Sequence, residues 1–259
     1  MKIAIFGDSY VALDHNFYKK LPYYNEAWPK KLADAYNVDN FAQSGTGPEW
    51  SLMQLNSKKI NDYDKIIFCV SDIRRKLIRP EYRPYEFNTH IGWPEFRGER
   101  INGKTQPLQD YQRYFMFNDF YLLRLKLIVK HLRKRFGNKI LLLPCFSYGT
   151  AALKQYYNDC IHLEVFWKAD LITADFLEKN SNGKEMQYWE EFRINHLAVQ
   201  SHRIMYEKIE KWLHGEEFTV TENDVPQVSL EDNIEYKFYL EHRKKLKVKR
   251  NKPKWRTKK

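Results

Sequence analysis

The stretch that decides the fold is Met1-Lys2-Ile3-Ala4-Ile5-Phe6-Gly7-Asp8-Ser9-Tyr10. Lys2 to Phe6 is a short apolar run, and Gly7-Asp8-Ser9 follows at once. That order predicts a buried strand ending in a tight turn, with a serine offered at the strand's carboxyl edge. In an open α/β sheet, ligands bind outside the carboxyl ends of the strands, so Ser9 stands where chemistry is usually done. A plain turn in which Asp8 and Ser9 cap the next helix accounts for the same tripeptide. Its place after a first strand, and its downstream companions, favour the chemical reading.

Outward from that turn, Val11 to Asn25 is a polar and aromatic connection, and Glu26 to Tyr36 has helical composition. Pro29 sits near the helix start, where a missing N–H costs little. Val38 to Ala42 predicts a second strand, followed by Gln43-Ser44-Gly45-Thr46-Gly47-Pro48. Glu49 to Ile60 predicts a helix, and Asp64 to Val70 a third buried strand ending at Ser71-Asp72-Ile73-Arg74. This β-α-β-α-β order is the signature of a parallel sheet with helices on its faces. Asp119 to Phe136 continues as an amphipathic helix stopped by Gly137-Asn138, its basic residues read as a solvated face. Lys139 to Phe146 predicts a fourth strand, Ile161 to Phe166 a fifth, and Asn195 to His214 a last helix.

One excursion breaks this rhythm. Residues 75 to 118, rich in Pro, Arg, Tyr, Phe and Trp, read either as a lid or binding rim or as a cover for a sheet edge. The domain therefore runs from 1 to 214 with this insertion, and 215 to 259 is a linker and basic tail. The formal charge of +11 belongs to that tail: Glu235 to Lys259 holds twelve Lys/Arg against two Glu, leaving about +1 for the rest. The tail (K-K-L-K-V-K-R-N-K-P-K-W-R-T-K-K) suits nucleic-acid phosphates, another polyanion or an acidic partner. A solubilising, disordered end accounts for it equally well.

Three cysteines, Cys69, Cys145 and Cys160, form no C-x-x-C pair, and two lie in apolar strand-like runs. Buried thiols in a reduced compartment are the simplest reading. No stretch reads as a signal peptide or approaches a membrane span, so a soluble, cytoplasmic protein is expected. No set of His, Cys and carboxylates has metal-ligand spacing in the sequence, so neither metal nor cofactor is expected.

Four landmarks now stand in order: Gly7-Asp8-Ser9, Ser44-Gly45-Thr46-Gly47, Ser71-Asp72 and Asn195-His196. Together they resemble the blocks of the SGNH hydrolases, the GDSL esterase/lipase family, over roughly Met1 to Leu213. Trp28-Pro29 before Leu32-Ala33 is similar too. The resemblance implies a three-layer α/β/α sandwich, flavodoxin-like, with a central parallel sheet of about five strands. It also implies ester hydrolysis through an acyl-enzyme, with Ser9 as nucleophile and His196 as its general base. The backbone N–H groups of Ser9 and Gly45 would form the oxyanion hole with Ser71 in the family's asparagine position. A serine hydroxyl needs an imidazole to take its proton, and the tetrahedral oxyanion needs preorganised donors.

The sequence departs from the family's blocks at three points. The third block's glycine falls on Cys69 and its asparagine on Ser71, whose hydroxyl is shorter than an amide. The fourth block's aspartate falls on Arg193, which opposes a second positive charge. His196 then leans on a backbone carbonyl, or on an acid such as Glu190, Glu191 or Asp175. A Ser–His dyad follows more readily than a full triad, and weak or lost activity is an open alternative.

Other polar residues have plainer readings. Asp8 steadies its turn, Asp72 caps or pairs with Arg74 or Arg75, Gly47 is a turn residue, and His202 is placed on the surface. The expected function is hydrolysis of a small acyl ester, such as acetyl, on a polar or carbohydrate-like substrate. The aromatic, polar excursion suits that better than a greasy tunnel. The alternative is a binding protein on a degenerate scaffold of the same kind.

Overall fold

The computed structural model describes residues 1–13, 18–44, 46–71, 118–145, 159–168 and 197–225, with positions 234, 237, 238 and 241. Gly45, Asp72, Arg74, Arg75, Asp175, Glu190, Glu191, Arg193 and His196 lie outside the described residues, as do the 75–117 excursion and the tail beyond 241.

Four strands form one parallel sheet: β1 (Lys2–Phe6), β2 (Asn37–Asn40), β3 (Lys65–Val70) and β4 (Ile140–Pro144), in spatial order β2-β1-β3-β4. The pairing is in register from Ile3↔Val38 on one side of β1 to Phe6↔Phe68 on the other, and Cys69↔Leu143 joins β3 to β4. β1, β3 and β4 are almost wholly buried because both sheet faces are covered, which is why they read as continuous apolar runs.

Period-two alternation divides the strands between two cores. Ile3, Ile5, Ile67, Leu141 and Leu143 pack with Trp28 and Leu32 of α1 (Trp28–Ala35) and with Met205 and Ile209 of the last helix. Ala4, Phe6, Ile66, Phe68 and Leu142 pack with Leu55 of α2 (Pro48–Ser57) and with Leu125, Val129 and Leu132 of α3 (Asn118–Phe136). The result is three layers, helix on sheet on helix, with the fold class the sequence predicts.

Details differ from the sequence pattern. β2 covers Asn37–Asn40 rather than Val38 to Ala42, because pairing with β1, not an apolar run, defines this polar strand. The expected fifth strand at Ile161 to Phe166 is instead the short helix α4 (Leu163–Lys168). Leu163 and Phe166 stand three apart and share one buried face, a spacing that suits a helix. What remains of a fifth strand, among the described residues, is a single parallel bridge between Leu142 and Cys160.

The last helix, α5 (Val199–His214), ends at Gly215 in the left-handed conformation (φ 76°), whose N–H returns to the carbonyl of Trp212. His202 is not on the surface. It is 1% exposed, and its Nδ1 accepts from the Trp28 N–H at the start of α1 (3.4 Å). Beyond α5 the arm folds back: Phe218 and Val220 pack on the core, Val225 is buried, and Lys208 Nζ donates to Thr219 O (2.7 Å). Farther on, the Phe238 ring meets Tyr23 edge-to-face at 6.3 Å.

The basic face of α3 is not wholly solvated. Arg133 donates to the carbonyls of Ile140 (3.2 Å) and Asp159 (3.0 Å), tying the helix to the β4 edge, and Arg124 pairs with Glu49 of α2.

Candidate functional site

The chain leaves β1 toward β2 on one side and later returns to β3 on the other. The crevice at the carboxyl ends of β1 and β3 is therefore the sheet's switch point, where α/β folds take ligands. Ser9 and Ser71 both stand at these ends.

The turn carrying Ser9 is held from several sides. The Asp8 carbonyl accepts from the N–H groups of Val11 (3.1 Å) and Ala12 (2.9 Å), and the Asp8 carboxylate accepts from Tyr10 N–H (3.2 Å). That last contact is an Asx turn, the local bond for which aspartate is suited. Gly7 is required by space: a Cβ there would stand 2.5 Å from Cys69 Cβ and 2.6 Å from Val11 Cγ2, and its φ is +155°. Asp8 is fully buried and Ser9 is 8% exposed, so both polar residues of the turn lie within the fold.

The segment after β2 closes one wall. Gln43 N–H donates to the Gly7 carbonyl (3.0 Å), and Asn40 Nδ2 donates to the Val11 carbonyl (2.8 Å). Thr46 Oγ1 donates to Gln43 O (2.8 Å), and Ser71 Oγ donates to Thr46 O (3.1 Å). Ser71 thus ties the glycine segment to the end of β3, and in this arrangement its one hydroxyl proton is committed to the Thr46 carbonyl. Of the four sequence-selected residues, Ser9 follows β1 and Ser71 follows the neighbouring β3 at the sheet's carboxyl edge; Gly45 and His196 lie outside the described residues.

Beneath the turn lies a cluster that spacing along the chain did not reveal. Asp8, Cys69 and Cys145, all buried, offer one ligand atom each, and these atoms lie within 4.8 Å of one another. Cys69 Sγ stands 3.6 Å from Asp8 Oδ1 and 3.1 Å from Cys145 Sγ, as a thiol hydrogen-bond chain. Burial pushes the Cys69 thiol above its ordinary pKa, and burial raises Cys160 to about 12. Neither is an activated nucleophile in this state. The available signal was that Cys69 and Cys145 each fall at the carboxyl end of a predicted strand; their contact follows only from strand order.

No protein-family model matches the chain, and no curated protein sequence matches it. Among solved structures, the chain is similar to the psychrotrophic esterase EstA from Pseudoalteromonas sp., in a crystal structure inhibited by monoethylphosphonate. The two are 17% identical with a TM-score of 0.40, over 82% of this chain and 98% of that one. Among the described residues, no helix is long and apolar enough to cross a membrane.

Proposed function

We propose that the chain is a serine esterase of the SGNH type, removing a small acyl group, such as acetyl, from a polar or carbohydrate-like substrate in the cytoplasm. The observation that carries this reading is Ser9, held on a tight, sterically specified turn at the switch point of a parallel sheet. Ser9 Oγ attacks the ester carbonyl while His196 takes its proton. The oxyanion is met by the N–H groups of Ser9 and Gly45, with Ser71 as a further contact once its hydroxyl turns from Thr46. His196 then returns the proton to the leaving alkoxide, and water, deprotonated by the same imidazole, frees the acyl group from Ser9. The pair works as a dyad, since Arg193 stands in the place of the family's acid.

A chromogenic short-chain ester and a fluorophosphonate probe test this. Ser9→Ala should lower the rate by about 10³-fold or more and abolish labelling. Equal rates with wild type would remove Ser9 from the mechanism.

A second reading is favoured by the Ser71–Thr46 bond, which occupies the hydroxyl that would face the oxyanion. On it the chain is a binding protein on an inactive scaffold, with the basic tail contacting nucleic acid or another polyanion. Absence of fluorophosphonate labelling, with salt-sensitive polyanion retention lost on deleting Lys247 to Lys259, would select it.

A further inference from the structure

We propose that Asp8, Cys69 and Cys145 form a binding site for a thiophilic divalent cation of the Zn²⁺ class, seated under the Ser9 turn. The three ligands come from three adjacent strand ends, β1, β3 and β4, rather than from one flexible loop. Cys69 lies within the β3 ladder, opposite Leu143, and Cys145 extends the ladder through its N–H to the Val70 carbonyl (3.1 Å). Ligands mounted on rigid, hydrogen-bonded backbone lose little freedom on binding.

The spacing is close to what such an ion needs. With bonds of about 2.3 Å to sulfur and about 2.1 Å to oxygen, a tetrahedral centre separates sulfur from oxygen by about 3.6 Å and the sulfurs by about 3.8 Å. The Cys69–Asp8 edge already measures 3.6 Å, and the 3.1 Å sulfur pair has to open by about 0.7 Å. Two thiolates with one carboxylate suit Zn²⁺ or Cd²⁺ and, through the oxygen ligand, disfavour Cu⁺. A tetrahedral ion held by three protein ligands takes a fourth, which in such sites is water.

Asp8 is fully buried, and its Oδ1 accepts from the Tyr10 N–H as well as standing beside the Cys69 thiol. Metal binding leaves the net charge of the site unchanged at −1, so what it adds is direct coordination of the carboxylate and both sulfurs. Binding exchanges the two thiol protons for the cation: M²⁺ + 2 RSH + RCOO⁻ gives a bound centre of net charge −1 and two released protons. A disulfide between the same cysteines would instead leave Asp8 Oδ1 without its S–H donor. The bound ion would clamp the Asp8 turn, on which Ser9 stands, to the ends of β3 and β4.

The test uses the full-length, reduced chain titrated with Cd²⁺, read by the ultraviolet sulfur-to-metal charge-transfer band. One equivalent should saturate wild type and Cys160→Ser, while Cys69→Ser and Cys145→Ser lose the band. Asp8→Asn should keep the band at an affinity lowered by about tenfold or more. Because buried-cysteine variants can fail to fold, cadmium NMR of the wild-type chain gives a second measurement, expected to report mixed sulfur–oxygen coordination. Zn²⁺ should also raise the wild-type Tm. Absence of a thiolate band in the reduced wild-type chain, or a band that survives in Cys69→Ser, overturns the proposal. No readout here depends on hydrolysis, so failure of the Ser9 mechanism leaves this result independent.

Discussion

Gly7 and Cys69 meet so closely that the smallest side chain on Gly7 would lie 2.5 Å from Cys69 Cβ. This contact sets how deeply the Ser9 turn sinks between β1 and β3. Gly7→Ala must either push β3 away or unwind the turn, with strain at a φ of +155° added. The expected loss is about 2–4 kcal/mol in chemical denaturation. A change below about 0.5 kcal/mol, typical of surface sites, would show the turn to be looser than described.

His202 closes a different joint. Its Nδ1 accepts the Trp28 N–H, one of the donors that the first turn of α1 cannot satisfy internally. His202→Leu keeps an apolar filling but leaves that N–H buried without its acceptor. The expected cost is about 1–3 kcal/mol by denaturant titration, against about 0.5 or less for an exposed histidine.

The legible and illegible parts of the chain divide by how local their causes are. β1, β3 and β4 announce themselves because strands buried on both faces must be apolar throughout. The edge strand Asn37–Asn40 has no such run, and its limits come from hydrogen bonds to β1. The 161–166 run alternates like a strand, yet Leu163 and Phe166 also share one helix face, and both are buried in the helix that forms. Ser9 and Ser71 were visible as strand-end residues because Ser71 follows β3 directly and Ser9 follows β1 after a two-residue turn. Cys69 and Cys145 are 76 residues apart, and His202 and Trp28 are 174 apart. Such pairs exist only once strand order and the α1–α5 packing are fixed.

Asp224 supplies a pH dependence. Its carboxylate accepts from Thr221 N–H (2.7 Å), Lys208 Nζ (3.0 Å) and Thr221 Oγ1 (2.9 Å), pinning the arm after α5 back onto that helix. The backbone bond from Thr221 is the largest cause holding its pKa down to about 2, with Lys208 next. A carboxylate depressed in the folded state stabilises above its unfolded pKa of about 3.9, and that contribution fades as pH falls through the folded value. Asp224→Asn should therefore cost about 0.5–1 kcal/mol at neutral pH, and the gap to wild type should close between about pH 4 and pH 2. A gap that persists at the acid end of a denaturation series would assign the effect to hydrogen-bond geometry rather than charge.

Ser71 separates two roles that one hydroxyl cannot fill at once. As the tether between β3 and the glycine segment, it donates to the Thr46 carbonyl at 3.1 Å in a site only 3% exposed. Ser71→Ala then leaves a buried carbonyl short of a donor, at a cost of about 1–2 kcal/mol. As an oxyanion contact, its loss would appear in kcat, where a dedicated donor is worth about 10²–10³-fold. Because the hydroxyl must first leave the Thr46 carbonyl, its net worth to the oxyanion is reduced, and the expected result is the stability loss with about a tenfold fall in kcat on a short-chain ester. Measured together on the same preparation, unchanged stability with a 10²–10³-fold fall would assign Ser71 to the oxyanion and the Thr46 contact to a resting arrangement that substrate displaces.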